Sequence, residues 1–251
     1  MTLKERKAQV KAYLGKTVHI KIDRPIGYIH KKQNYCLIYP VNYGYIPGVL
    51  GGDGEELDVY LLGVDRPVTE YTCKVIGIAH RENDMEDKLV AAPEGIIFNQ
   101  AEIAEAIHFQ EQYYITHIEC IYPKSCGAVV FRRNGKAKEY LCLLQNKSGI
   151  YSVPKGHMEA FETEEQAAKR EVFEETGISA EFIANFRTEI QYDTPYHTHK
   201  TLVLFMAEYN GELHIDPSEI TDYCWLACEQ AKQTLPVWYS DVIHKAEKMR
   251  I

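Results

Sequence analysis

Glu171, Glu174 and Glu175 stand at spacings of i, i+3 and i+4 inside a segment whose two ends are both marked. Thr163, followed three residues later by Gln166, is a capping box, and Gly177 is a C-terminal stop. The sequence therefore predicts a helix from Glu164 to Thr176, with all three carboxylates on one face. Like charges stacked this way repel, and a bound divalent cation would remove the penalty. Carboxylate oxygens are hard donors, which points to Mg²⁺ or Mn²⁺ rather than zinc. Taken alone, the same three residues also read as a solvated acidic face.

The wider string separates the two readings. Gly156, then five residues, Glu162, seven residues, Arg170-Glu171, an aliphatic, any residue, Glu174-Glu175, any residue, Gly177 and an aliphatic resembles the Nudix hydrolase box at every defined position. At roughly 7% usage per residue type, such a match arises by chance on the order of once in 10⁸ starting points. The resemblance covers nearly all of residues 125 to 251 and implies an αβα sandwich that hydrolyses a nucleoside diphosphate linked to another group. It implies that Glu171, Glu174 and Glu175 ligate metal, that Arg170 orients the glutamates, and that the backbone carbonyl of Lys155 completes the coordination. The implied chemistry is metal-assisted attack of water on phosphorus, with a nearby carboxylate accepting the proton.

Around the box, GIYSVPKGHMEAFETEEQA resembles the diadenosine tetraphosphate hydrolase branch of that family. Phe186 to Tyr192, Lys200-Thr-Leu-Val and Glu219, six residues before Trp225, support the same branch. By that resemblance Glu219 is an extra metal ligand or base, while Tyr192 and Lys200 contact the nucleotide and its phosphate chain. An aromatic ring can stack on a base and an ammonium can meet a polyphosphate. The structural alternative makes Tyr192 a strand cap and Lys200 a solvated edge residue. His197 and His199 lack a third soft ligand at a known spacing and read as a polar substrate loop rather than a zinc site.

The N-terminal half has its own signature. Tyr39-PVN-Tyr43-GYIPGVLGG-Asp53-GEEL-Asp58 closely resembles the soluble, barrel-fold inorganic pyrophosphatases, and the likeness continues through Asp87-Lys88-Leu-Val and His108 to Tyr113. Without it, the acids would read as a hairpin turn. The resemblance implies that Tyr39, Tyr43 and Tyr113 touch phosphate and that Lys88 meets a leaving phosphate. It also implies that Asp53, Glu55 and Asp58 gather round a metal, with Asp58 beside the attacking water. This sequence departs from the pattern at Glu55, where the family has Asp, and at Tyr114, where it has Lys. Glu82, Asp84, Glu86 and Asp87 before Lys88, and Asp23, Arg24, Lys31 and Lys32 near the start, have no unique ligand assignment. Pyrophosphatase catalysis and a docking or dimerising role for the barrel both stand.

Hydrophobic periodicity divides the chain in the same place. A short amphipathic helix ending at Gly15 precedes strand-like runs at 18–22, 35–39, 57–62, 72–78 and 88–91, then a helix over 101–113. Five short strands with Gly-rich turns fit a small closed, OB-like five-stranded barrel. After Tyr122-Pro123 the pattern restarts with strands at 127–131 and 140–144, the long helix, strands at 181–192 and 202–209, and two C-terminal helical segments. The expected architecture is α+β in two domains, 1–121 and 122–251. The seven cysteines form no CxxC pair, and Cys36, Cys73 and Cys142 read as buried core thiols.

Composition narrows the partners. With 28 Lys plus Arg against 36 Asp plus Glu, the net charge of −8 disfavours non-specific nucleic-acid binding. Apolar runs such as Leu202 to Ala207 are too short for a bilayer, and the charged N-terminal stretch lacks a signal core, so a cytoplasmic protein is expected. The expected partner is a small nucleotide polyphosphate, with pyrophosphate as a second substrate and homo-oligomerisation left open. Three functions follow. The first is hydrolysis of diadenosine tetraphosphate to ATP and AMP. The second is a pyrophosphohydrolase of nucleoside triphosphates or 5′-triphosphate RNA, whose pyrophosphate the barrel destroys. The third is a non-catalytic nucleotide-binding regulator, which the intact acidic face argues against.

Overall fold

The computed structural model describes residues 3–32, 35–194, 198–209 and 211–250. Two compact units divide between Pro123 and Lys124; the second comprises Lys124–Thr194 and His199–Ile251.

In the first unit, helix α1 (Leu3–Lys11) precedes strands β1 (Thr17–Arg24), β2 (Ile29–Lys32), β3 (Tyr35–Ile38), β4 (Asn42–Leu50), β5 (Glu56–Leu61), β6 (Glu70–Arg81) and β7 (Lys88–Ala92). Helix α2 (Gln100–Glu111) and strand β8 (Thr116–Cys120) complete it. The order β1-β4-β5-β7-β6 closes through a β1–β6 pairing into a five-stranded barrel, with β8 added to β6. The strand count agrees with expectation, but one member differs. The run at 35–39 pairs only within the separate β2–β3 hairpin, and β4 takes its place in the barrel. Glycine and proline in YGYIPG disguise β4 as a turn. Gly44 is required there, because a β-carbon would stand 1.8 Å from the Lys21 carbonyl oxygen of the neighbouring strand. Cys36 goes with the hairpin and is exposed, unlike the buried Cys73 and Cys142.

Alternation along β5 builds two cores. Val59 and Leu61 turn into the barrel with Ile20, Val75 and Leu89, and Val10 of α1 joins them. Tyr60 turns outward with Tyr39, Tyr43 and Val90 against Ile103 and Ile107 of α2. Asn99 caps α2 in a reciprocal box with Glu102. At its far end, buried Arg81 donates two hydrogen bonds to Glu111, at 3.0 and 2.6 Å, which latches the helix to β6.

The second unit holds β9 (Lys124–Asn134), β10 (Ala137–Gln145), β11 (Tyr151–Ser152), β12 (Lys155–His157), α3 (Glu164–Thr176), β13 (Phe182–Asp193), β14 (His199–Glu208) and β15 (Ile220–Ala227). Helix α4 (Cys228–Thr234), a 3₁₀ turn at Val237–Tyr239 and α5 (Ser240–Lys248) follow. The sheet runs β11-β10-β9-β14-β13, with β12 on β9 and β15 on β10; only β9–β14 is parallel. Residues of β14 alternate between faces. Leu202, Leu204 and Met206 pack with Val242, Ile243 and Ala246 of α5, whereas Val203 packs with Ala167 and Ala168 of α3. Helices therefore cover both faces, an αβα sandwich. Strand β15 was unforeseen, since Thr221, Asp222 and Tyr223 are exposed and carry no apolar alternation. Among the described residues, no helix is long and apolar enough to cross a membrane.

Candidate active sites

The box helix starts and stops where its caps predict. Thr163 Oγ accepts from the Gln166 amide, and Gly177 takes the left-handed conformation at φ 70°. Arg170 then ties the helix to the loop before it. Its guanidinium donates to both Glu162 oxygens at 2.7 and 2.9 Å, to the His157 carbonyl at 2.9 Å, to Glu171 at 2.8 Å and to Glu174 at 2.9 Å.

The three box glutamates are not equivalent. Glu171 and Glu175 are buried, whereas the Glu174 side chain is 55% exposed. Burial raises the Glu171 carboxyl; Arg170 opposes the shift, and the charges of Glu174 and Glu219 add to it. Burial also pushes Glu175 up to about 7, against the Lys155 charge, the Lys155 backbone N–H at 3.0 Å and the Gln145 amide at 3.3 Å. Among the described residues, no three His, Cys, Asp or Glu groups converge at ion-holding geometry, and in the box Glu171 and Glu174 both accept from Arg170. The donor set nonetheless fits a hard cation: two buried carboxylates repel each other and resist ionisation, which a divalent charge would reverse. Gly156 is part of that fit. Glu171 lies directly over it, and no other residue leaves room for the carboxylate.

Strand register brings the proposed substrate residues to this place. Tyr192 and Lys200 are directly opposed across β13–β14 and so share a face. Lys200 is lowered to about 8 by burial, then by repulsion from Lys155, with Glu171 opposing. Lys200 therefore lies within electrostatic reach of Lys155 and Glu171. Tyr192 stacks on Trp238, with ring centroids 4.8 Å apart and planes 10° from parallel. Trp238 was missed, because in the apolar run Val237-Trp238-Tyr239 after Pro236 nothing sets it apart from ordinary packing. Glu219 is exposed beside β15, within electrostatic reach of Glu171. His199 pairs with Asp193, and His197 lies outside the described residues.

The barrel carries a second cluster. Buried Lys88 donates to Tyr43 Oη at 2.7 Å, Asp58 at 2.5 Å and Glu86 at 2.7 Å, and Tyr43 also donates to Asp58. Burial would raise Asp58, but Lys88 and the surrounding hydrogen bonds hold it below the usual range. Glu86 is pushed up to about 7 by burial, with Lys88 opposing and Asp58 reinforcing the shift. Arg24 donates to Tyr39 Oη at 2.8 Å and lies over the Tyr43 ring. Thus Glu86 and Arg24, which had no unique assignment, join this cluster. Asp87 does not: it accepts from Arg6 at 3.1 and 3.3 Å and from the Arg81 amide at 3.0 Å.

The structure does not gather Asp53, Glu55 and Asp58 round one point. Asp53 Oδ1 caps its own turn by accepting from the Glu55 amide at 3.0 Å, and both side chains lie on the exposed β4–β5 turn, while Asp58 is on Lys88. Tyr113 is 59% exposed. Its neighbour Tyr114 takes the charge contact instead, lying 3.6 Å from the Arg81 guanidinium carbon.

Residues 122–246 match the NUDIX domain family model, and residues 10–119 match that of inorganic pyrophosphatase. Over 124 residues the chain is 37% identical to the asymmetrical bis(5′-nucleosyl)-tetraphosphatase of Mus musculus, covering 44% of this chain and 82% of that protein. Over 134 residues it is 32% identical to the NAD-capped RNA hydrolase NudC of Edwardsiella ictaluri, covering 52% of this chain and 47% of that protein. A solved binary complex of a C. elegans Ap4A hydrolase is 22% identical, with a TM-score of 0.47, over 49% of this chain and 94% of that one.

Proposed function

The chain belongs to the Nudix hydrolase family, and from that premise we propose that its C-terminal domain cleaves diadenosine tetraphosphate to ATP and AMP with Mg²⁺ or Mn²⁺. One observation carries the reading. The opposed pair Tyr192 and Lys200 offers a ring, stacked on Trp238, and an ammonium within electrostatic reach of Lys155 and Glu171. That is a base platform beside a phosphate contact beside the acidic helix. The asymmetrical tetraphosphatase relative supports the same substrate.

Glu171, Glu174, Glu175 and the Lys155 carbonyl are the groups that would hold the metal. Bound there, a divalent ion supplies positive charge and a more acidic water. Arg170 fixes the glutamates to the loop at His157. Lys155 and Lys200 neutralise phosphate charge, Tyr192 and Trp238 seat a base, and Glu219 accepts the proton of the attacking water.

A specific observation favours a second reading. The Tyr39–Tyr43–Asp58–Lys88 cluster lies in a pyrophosphatase-family domain, which would consume pyrophosphate released from nucleoside triphosphates or 5′-triphosphate RNA. Diadenosine tetraphosphate, GTP and pyrophosphate, each incubated with Mg²⁺ or Mn²⁺ and resolved by ion exchange, separate the two. ATP plus AMP, lost in Glu174→Gln and kept in Asp58→Asn, is the expected result. Pyrophosphate from GTP, turned to phosphate only while Asp58 is intact, would replace the first reading with the second.

A further inference from the structure

Strand β10 ends at Gln145, and there its ladder with β15 breaks register: Leu144 opposes Asp222, but Gln145 opposes Ile220. Thr221 is the extra residue, a bulge of the kind that re-aims side chains beside active sites. Gln145 and Asn146 use that break to reach two separate parts of the site. Gln145 Nε2 donates to Glu175 Oε1 at 3.3 Å, touching the buried box carboxylate. Asn146 grips the loop that carries Glu219. Its backbone N–H donates to the Glu219 carbonyl at 2.8 Å, and its Nδ2 donates to the Pro217 carbonyl at 2.9 Å. Its Oδ1 accepts from the bulged Thr221 hydroxyl. Asn146 thus engages three of the five consecutive residues 217 to 221. The same loop is held from its other end, where the Asp216 amide donates to the Glu175 carbonyl at 3.3 Å.

We infer that Asn146 is a positioning residue that holds Glu219 at a set distance from the box glutamates. The inference rests on the reading that Glu219 serves the hydrolysis. Glu219 is exposed, so its backbone rather than packing fixes where its carboxylate can reach. Loss of the Asn146 side-chain amide removes its bonds to Pro217 and Thr221, which brace the loop on either side of Glu219, so that segment is then held to Asn146 by the backbone bond alone, while the box helix, Tyr192 and Lys200 stay untouched. Small misplacements of a reacting group cost up to about 100-fold in rate.

The test is a double-mutant cycle on the full chain, using whichever of diadenosine tetraphosphate and GTP the parent hydrolyses at saturating Mg²⁺. Asn146→Ala is expected to lower kcat by about 10-fold or more with KM changed less than about 2-fold. In a Glu219→Gln background the same substitution should cost nothing further, a result that general loosening of the fold would not produce. Thr221→Val, which removes one partner of the clamp, should give a smaller loss with the same dependence on Glu219. It also serves if Asn146→Ala does not fold. Full activity in Asn146→Ala, or losses that multiply with those of Glu219→Gln, would overturn the inference alone. An inert Glu219→Gln substitution, or no hydrolysis of either nucleotide, would overturn the underlying reading and the inference with it.

Discussion

The Cα of Gly156 and the carboxylate of Glu171 pack so closely that a β-carbon at position 156 would stand 1.9 Å from Glu171 Oε2. Any side chain at 156 displaces that carboxylate. The displaced atoms are the far end of a flexible side chain, so the fold can adjust. Gly156→Ala should therefore keep its melting temperature within a few degrees while losing about 100-fold or more in kcat. Steady-state kinetics beside a circular-dichroism melt checks both halves.

Glu175 links metal to pH. Its carboxyl rises from 4.5 to about 7 on folding, so it contributes stability below 4.5 that is lost as pH climbs through 7. The shift corresponds to roughly 3 kcal/mol. The metal-free protein should melt lower at pH 8 than at pH 5, and Glu175→Gln should flatten that slope. The rise in melting temperature caused by Mg²⁺ or Mn²⁺ should grow across the same window, since ion and proton compete for one carboxylate. A metal shift that does not depend on pH would contradict this assignment.

Lys200 sets an alkaline limit. Partial burial, then the neighbouring Lys155 charge, push its ammonium down to about 8. On the proposed function, the ammonium is charged below that pH and would meet the phosphate chain, and above it that contact would weaken. KM for the nucleotide should climb as pH passes 8. Lys200→Gln should raise KM by about 10-fold or more and abolish that climb.

In the barrel, Arg81 and Glu111 are 2% and 6% exposed and doubly hydrogen-bonded. Truncating one partner leaves the other charge buried and alone, so Arg81→Met should destabilise by about 3–5 kcal/mol. Burial would raise Glu111, but the hydrogen bonds from Arg81 and Tyr60 hold it below 4.5. That stability is present above 4.5 and lost as pH falls through the folded value. Urea melts at pH 7 and pH 3 should show the gap between parent and variant narrowing in acid.

Legibility followed locality. The capping box at Thr163, the stop at Gly177 and the carboxylate spacing all lie within one helix, where sequence distance and spatial distance coincide. The barrel was legible as five strands but not as which five. In YGYIPG, glycine and proline signal a turn, whereas Gly44 is needed to let β4 pass against Lys21. Strand β15 escaped because its exposed residues carry no apolar alternation to read. In the barrel cluster, Glu86 and Asp87 are adjacent in sequence, yet one joins Lys88 and the other Arg6. Only the direction each side chain takes out of the fold separates them.

The chain by itself determined the chemistry of the box helix: which carboxylates share a face, which arginine precedes them, and which glycine ends the turn. Such properties need only the 3.6-residue period and local caps. The tertiary structure decided everything that depends on partners far away in sequence. It set Tyr192 opposite Lys200 through strand register and laid Trp238 on Tyr192. It also buried Glu171 and Glu175 deeply enough to shift their acidity. Burial and register are sums over contacts between distant segments, so no local pattern encodes them.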